Sequence, residues 1–148
     1  MKHAVRAFIR NDEGKFLLIF HDKKNNWTPP GGKVDENEKE KDSLIRELFE
    51  EIEFLPDNDY DLSNVYKVSE TITHEDSSEN WVIHLYFIKT LPKNFMESCK
   101  NKEPNKHSAM RWFSIQEIEM LEMKSYSTKL LLSMYKALDE FVENNIKA

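Results

Sequence analysis

The sequence is poor in cysteine, in glycine and in long apolar stretches. Its 148 residues include one cysteine and three glycines. The single Cys99 cannot form an intramolecular disulfide, and a lone cysteine suits a reducing compartment. No apolar run approaches the roughly 20 residues that span a membrane, and residues 1–6 lack the apolar core of a signal peptide. We therefore expect a cytoplasmic protein that does not bind membranes.

The sequence also has fewer positively charged than negatively charged residues, 21 against 27. The formal net charge is −6 and the pI is about 5.4, so the basic surface that DNA binding requires is not expected. The hydrophobic content of 39% and the charged content of 32% are typical of soluble globular proteins. A chain of this length favours a single domain, residues 1–148. Its oligomeric state, monomer or homodimer, is left open by the sequence.

Hydrophobic periodicity and turn residues predict five strands and three helices. Strands are expected at residues 4–10, 16–20, 65–73, 81–90 and 111–113, and helices at 40–52, 115–121 and 127–144. Loops are expected at residues 25–33 and 55–64, with a hairpin tip at 74–80 and a polar connection at 93–108. The order predicts a mixed α+β sandwich with helices packed on the faces of a sheet.

The helix at 40–52 separates apolar and acidic residues onto two arcs at about 100° per residue. The apolar arc consists of Leu44, Ile45, Leu48, Phe49 and Ile52, and the acidic arc of Glu40, Glu47, Glu50 and Glu51. Clustered like charges oppose helix formation by a few tenths of a kcal/mol per pair. A hard cation, however, needs several oxygen ligands, and Mg²⁺ bound by carboxylates and substrate phosphates fits this pattern.

The same segment resembles the Nudix box, G-x5-E-x7-R-E-U-x-E-E-x-G-U, where U is a bulky apolar residue. Six of the seven specified polar or glycine positions match: Gly32, Glu38, Arg46, Glu47, Glu50 and Glu51. The preceding residues 27–34, WTPPGGKV, also look like the lead-in of this family. The resemblance implies an α/β/α sandwich and a hydrolase of phosphoric anhydride bonds that uses Mg²⁺, with Mn²⁺ as a substitute.

One position departs from the family pattern. Glu53 stands where the family has a glycine, which would end the helix in a left-handed conformation. Either the left-handed turn is kept at a cost of about 1 kcal/mol, or the helix continues through Glu53. The departure affects the helix exit and removes no ligand.

The resemblance also implies roles for particular residues. Glu47, Glu50 and Glu51 are the implied metal ligands, together with the backbone carbonyl of Gly31. Arg46 is implied to hold the glutamates in place by charge-assisted hydrogen bonds. Glu38 is expected to brace the loop onto Arg46 or to lie just outside the ligands. Glu50 and Glu51 are the candidates for the general base within the box, whereas in relatives of this fold the base can come from a different loop.

A second segment, EPNKH at 103–107, looks like the E-P-x-K-H segment of Nudix proteins that act on nucleotides. In that segment the glutamate can be an extra metal ligand, so Glu103 is a predicted ligand. The alternative, given equal weight, is that residues 103–107 form a solvated loop without a role in metal binding. Trp27 and Lys33, on either side of the glycine pair, are the predicted substrate contacts. Glu40, between two lysines, is predicted to be merely solvated, and His84 to be a strand residue without chemistry.

The leading functional hypothesis is a Mg²⁺-dependent pyrophosphohydrolase that cleaves a nucleoside triphosphate into the monophosphate and pyrophosphate. The alternative is cleavage of a nucleoside diphosphate linked to another group, such as ADP-ribose, a dinucleoside polyphosphate, a nucleotide sugar or an RNA 5′ end. A non-catalytic nucleotide-binding module is disfavoured because the three box glutamates are present. The box residues do not indicate which base or which linked group the protein recognises, and they do not indicate how many metal ions it binds.

Overall fold

The computed structural model describes residues 2–23, 25–73, 81–91, 100–121 and 126–145. Within these ranges one sheet contains seven strands: β1 (Lys2–Arg10), β2 (Phe16–His21), β3 (Asn26–Thr28), β4 (Gly31–Lys33), β5 (Tyr60–Thr73), β6 (Trp81–Thr90) and β7 (His107–Phe113). The described helices are α1 (Glu40–Ile52), α2 (Ile115–Glu119) and α3 (Tyr126–Asn145). The predicted hairpin tip at 74–80 and residues 92–99 after β6, which include Cys99, lie outside the described residues.

The sheet is mixed, as predicted. Its main path runs β3-β2-β1-β6-β5, with β4 paired to β1 and β7 paired to β2. Only the central β1–β6 pair is parallel among the described strand pairs, and it extends from Lys2 opposite Trp81 to Arg10 opposite Lys89. The remaining pairs are antiparallel. The sandwich expected from the order of elements is therefore confirmed.

Each face of the sheet carries its own apolar core. On one face, Leu44, Leu48 and Ile52 of α1 pack with alternate residues of β1 and β2 such as Val5 and Leu17. On the other face, residues from β1, β2 and β6 pack against α3: Phe8, Leu18, Leu85 and Phe87 contact a cluster that includes Tyr135, Leu138 and Val142. This period-2 division of apolar residues places α1 and α3 on opposite faces.

Two predicted loops contain strands. Residues 25–33, expected to be a turn-rich loop, hold β3 and β4, because Gly31 and Gly32 lie directly beside Arg6 and Val5 of β1. Strand β5 begins at Tyr60 rather than at 65, and a register shift follows Tyr60. Tyr60 is fully buried and stacks on Phe54 at 4.5 Å. In both cases long-range pairing overrides the local preference of glycine, proline and polar residues for loops.

The helix ends differ in how closely they follow local sequence chemistry. Ser114 caps α2 in a capping box with Glu117. Helix α1 ends at Glu53, which adopts φ 55° and ψ 38°, the left-handed conformation. The left-handed turn is therefore kept without glycine, and the helix does not continue. Phe49, predicted to lie on the buried arc, is instead 44% exposed.

None of the described helices has the length and apolar character needed to cross a membrane.

Candidate active site

The glycine pair lets β4 run against both β1 and α1. Gly31 has φ 154°, and a Cβ atom there would lie 1.9 Å from the Val5 carbonyl oxygen. A Cβ atom on Gly32 would lie 2.3 Å from the Glu47 carboxyl group. Any larger residue at either position would collide with backbone or with this carboxylate, so the close approach requires glycine.

Glu51 is the most buried carboxylate of the box. It is 5% exposed and accepts a hydrogen bond of 3.0 Å from the Gly31 backbone N–H. Burial raises the pKa of Glu51 to about 7, although the nearby charge of Arg6 and the bond from Gly31 act in the opposite direction. The fold therefore holds a carboxylate in a position where its negative charge is only partly compensated.

Glu47 and Glu50 lie on the same end of α1 and differ in exposure. The Glu47 side chain is 17% exposed, whereas that of Glu50 is 54% exposed. Burial is the main cause of the raised pKa of Glu47. Both carboxylates accept hydrogen bonds of 3.1 Å from one Arg46 nitrogen. Arg46 thus fixes two of the three predicted ligands with a single guanidinium group.

The other side of the Arg46 guanidinium is held by Glu38. Two hydrogen bonds, of 2.9 and 3.0 Å, join the two side chains in a bidentate pair. These bonds, and a further one from Ser43, lower the pKa of Glu38 to about 2. Arg46 also donates to the Lys33 carbonyl at 3.2 Å. The predicted bracing of the loop by Glu38 is confirmed, and it ties β4 to α1.

The segment that follows residue 99 docks on the end of α1. The backbone N–H groups of Lys100 and Lys102 donate to the carbonyls of Ile52 and Glu51 at 3.0 and 2.9 Å. These bonds satisfy carbonyls that a helix end leaves without intrahelical partners. The Asn101 side chain bonds the His107 carbonyl at 2.7 Å. The docking carries the residues that follow towards the carboxylates of the box.

Glu103 and His107 join Glu51 in a second group of potential ligands. One ligand atom from each of the three lies within 4.8 Å of the others. His107 is 5% exposed, its Nδ1 makes no hydrogen bond, and burial lowers its pKa. Lys106 pairs with Glu103 at 3.2 Å. The placement of Glu103 beside the box agrees with its expected role, and His107 joins it as a potential ligand that the sequence did not assign.

The two predicted substrate contacts lie in different surroundings. Trp27 packs on the α3 side of the sheet, with its ring 5.3 Å from that of Phe20 and 4.8 Å from that of Phe113. It lies on the face opposite α1, so its geometry favours a role in packing. Lys33 ends β4 beside Arg46, and its side chain is exposed. A contact between Lys33 and substrate stays a prediction.

The donor set suits a hard divalent cation. Carboxylate oxygens of Glu47, Glu50 and Glu51 project from the last two turns of one helix, and Glu103 approaches from the docked segment. Mg²⁺ prefers oxygen ligands of this kind and keeps sites open for phosphate oxygens. The pKa values of the half-buried Glu47 and the buried Glu51 are raised, so a bound cation would compensate the charge of both carboxylates.

Comparison with known proteins agrees with this geometry. A family model described as the NUDIX domain matches residues 2–133. No curated protein matches the sequence. Among solved structures, the MutT NUDIX hydrolase from Burkholderia pseudomallei is similar, with 23% identity, a TM-score of 0.69, and coverage of 90% of this chain and 96% of that one.

Two further structures are similar over most of their length. The MutT protein from Methanosarcina mazei Go1 shares 21% identity at a TM-score of 0.68, covering 97% of this chain and 95% of that one. An Ap4A hydrolase from C. elegans shares 19% identity at a TM-score of 0.67, covering 95% and 98%. These similarities establish the fold. The chain belongs to the NUDIX domain family, and it is a Nudix hydrolase that acts on pyrophosphate bonds.

Proposed function

We propose that the protein is a Mg²⁺-dependent pyrophosphohydrolase that converts a nucleoside triphosphate into the monophosphate and pyrophosphate. The observation that carries this proposal is the convergence of Glu47 and Glu51 on the Gly31–Gly32 backbone, with Glu103 brought in by the docked segment. A solvated acidic helix face would not require a glycine at position 32, where a Cβ atom would collide with the Glu47 carboxyl group. It would also not require a buried carboxylate with a raised pKa, as Glu51 has.

In this proposal Glu47, Glu50, Glu51 and Glu103 hold the metal, together with the carbonyl oxygen of Gly31. When bound, Mg²⁺ neutralises phosphate charge and lowers the pKa of a water ligand. Mn²⁺, which also accepts carboxylate and carbonyl oxygens, would serve as a substitute. Arg46 is bonded to Glu38, Glu47 and Glu50, so we assign it to positioning the ligands rather than to binding substrate.

The chain's own groups account for positioning and for proton transfer. The Gly31 N–H fixes one oxygen of Glu51 and leaves the other oriented towards His107, at 4.0 Å from Nε2. Glu50 and Glu51 are both retained as candidates for the general base that receives the proton of the attacking water. Substitution at phosphorus depends mostly on charge neutralisation and alignment, which this rigid set of carboxylates supplies.

Several features favour a nucleoside triphosphate as the substrate. The E-P-x-K-H segment places the exposed Lys106 beside Glu103, where its charge suits a polyphosphate. A neighbouring open pocket of about 630 Å³ is lined by His21, Asp22, Lys23, Asn105 and Lys106. Its size is that of a small-ligand site. We assign this pocket to the part of the nucleotide that extends beyond the metal-bound phosphates.

A nucleoside diphosphate linked to another group is the second candidate. The similar fold of an Ap4A hydrolase from C. elegans supports a dinucleoside polyphosphate as one such alternative. The metal-binding carboxylates would act in the same way on either substrate. Cytoplasmic location, a small-molecule partner, and a monomeric or homodimeric state belong to the same proposal.

A substrate panel distinguishes these candidates. Purified protein with Mg²⁺ would be incubated with nucleoside triphosphates, oxidised ones included, and with ADP-ribose, dinucleoside polyphosphates, nucleotide sugars and capped RNA. The products, both pyrophosphate and the phosphorylated fragments of the linked substrates, would be separated by chromatography and quantified. The proposal predicts the highest kcat/KM with a nucleoside triphosphate and pyrophosphate as a product. A higher kcat/KM with a diphosphate-linked substrate would replace the leading candidate with the second one. Hydrolysis of none of them would contradict both.

A further inference from the structure

A second cluster of metal-ligating side chains lies at the opposite end of α1. Glu40 from the first turn of α1, Glu70 from β5 and His84 from β6 place ligand atoms within 4.8 Å of one another. Glu40 precedes Glu47 by seven residues, which corresponds to about 10 Å along the helix. The cluster is therefore separate from the carboxylates proposed to hold Mg²⁺.

The central ligand of this cluster is His84. Its side chain is 6% exposed, and its Nδ1 atom makes no hydrogen bond. Carboxylate oxygens of Glu40 and Glu70 lie 3.3 and 3.4 Å from this Nδ1 atom. A buried nitrogen that faces two carboxylates without hydrogen-bonding either leaves its own polarity unsatisfied, which is costly unless a further group lies between them.

We propose that Glu40, Glu70 and His84 form a binding site for a single Zn²⁺ ion at the start of α1. Bonds from zinc to nitrogen and oxygen ligands are about 2.0–2.2 Å, so ligand atoms of a tetrahedral site lie about 3.3–3.6 Å apart. The two distances from His84 Nδ1 fall in this range. A nitrogen ligand selects Zn²⁺ over Mg²⁺, which prefers oxygen.

His3 supports the orientation of His84. The Nδ1 atom of His3 lies 2.9 Å from Nε2 of His84. If His84 Nε2 carries the proton and donates it to His3, then Nδ1 of His84 has a free lone pair directed at the cluster. A hydrogen bond to the second ring nitrogen is the usual way in which a metal-binding histidine is oriented. His3 thus acts as a positioning residue.

Lys67 provides the simplest competing explanation. Its ammonium group lies 2.9 Å from Glu40 Oε1 and also pairs with Glu70. Tyr86 donates a hydrogen bond to Glu40 as well. Lys67 neutralises only one of the two carboxylates, so one negative charge of the cluster remains to be compensated by a cation. In our account Lys67 competes with the metal, whereas in a purely ionic cluster it would be the stabilising partner.

The site would join the start of α1 to two strands. The residue before α1, Lys39, makes no side-chain capping bond, so Zn²⁺ bound through Glu40 would fix an end of the helix that lacks a cap. The box carboxylates lie at the other end of the same helix. We therefore expect Zn²⁺ binding to stabilise the fold without being required for hydrolysis.

The test uses untagged, metal-stripped full-length protein in saturating Mg²⁺, which occupies the box. Zn²⁺ would be titrated while the melting temperature is recorded, and Co²⁺ would replace Zn²⁺ to give the visible absorption of a tetrahedral site. Glu70→Gln removes a proposed ligand whose side chain is 57% exposed, and Lys67→Gln removes the competing ammonium group. Glu103→Gln is the control for Zn²⁺ binding at the other cluster.

One equivalent of Zn²⁺ should raise the melting temperature of the wild type and of Glu103→Gln. Glu70→Gln should bind at least about 100-fold more weakly, because a direct ligand matters at least as much as the outer partners whose loss costs 10–100-fold. Lys67→Gln should bind about tenfold more tightly, because a competing charge is removed. No saturable binding by the wild type, equal binding by Glu70→Gln, weaker binding by Lys67→Gln, or loss only in Glu103→Gln would overturn the proposal.

Discussion

The buried carboxylate of Glu51 makes the stability of the metal-free protein depend on pH. Its pKa rises from 4.5 to about 7 on folding, chiefly through burial. This difference of about 2.5 pKa units corresponds to about 3 kcal/mol of folding free energy. Because the folded state binds the proton more tightly, this contribution is fully present below pH 4.5 and is lost as the pH rises through 7. Glu51→Gln removes the titration.

The measurement is the free energy of unfolding in urea, with a chelator present, for the wild type and Glu51→Gln between pH 4.5 and 8. Relative to the variant, the wild type should lose about 3 kcal/mol over this range. Other titrating groups such as His107 are common to both proteins, so the difference reports Glu51 together with its Coulombic interactions with Glu103 and Glu47. Saturating Mg²⁺ should restore the wild type at pH 8 and act weakly on the variant. Parallel stability curves for the two proteins would refute this account of Glu51.

Four further substitutions test neighbouring parts of the site. Because Glu53 is left-handed, Glu53→Gly should stabilise the protein by a few tenths to about 1 kcal/mol in thermal unfolding, and destabilisation would contradict that conformation. Gly32→Ala should displace only the Glu47 carboxyl and lower turnover with little change in melting temperature, whereas Gly31→Ala should also destabilise the fold because its Cβ meets backbone. Glu103→Gln should shift the Mg²⁺ titration of activity to higher concentration and partly recover at high Mg²⁺, and an unaltered titration would exclude it as a ligand.

Local sequence predicts those parts of the fold in which residue propensity and the hydrophobic pattern favour the same element. The box helix was expected at residues 40–52 and α1 occupies Glu40–Ile52. The cap at Ser114 follows from its spacing to Glu117. Both segments combine an apolar period with end signals that act within a few residues. Such local information does not require knowledge of the sheet.

Elements that depend on distant partners were not predictable in this way. The strands at 26–28 and 31–33 exist because β2 and β1 pair with them, although their own residues favour turns. Glu40 was expected to be a solvated helix residue, but it contacts Lys67, Tyr86 and His84 across the sheet. That environment is created by residues that lie 27 to 46 positions after Glu40 in the chain, so helical spacing alone contains no trace of it.

The candidate site was predictable in part for the same reason. Glu47, Glu50 and Glu51 share one helix, so their grouping follows from spacing. The burial of Glu51 and the approach of His107 depend on the docked segment and on β7. Resemblance to the E-P-x-K-H segment identified Glu103 as a ligand. His107 is the last residue of that segment, but the resemblance implied no ligand role for this histidine.

The central claim is that the carboxylates of the box hold the metal that hydrolysis requires. The most direct measurement is the turnover of Glu50→Gln with Mg²⁺ on the best substrate of the panel, beside Asp42→Asn as a control on the exposed surface of the same helix. Glu50 is half-exposed, so its loss should change the melting temperature little. We predict a fall in turnover of about 100-fold or more for Glu50→Gln and wild-type turnover for Asp42→Asn. Wild-type turnover in Glu50→Gln would contradict the account.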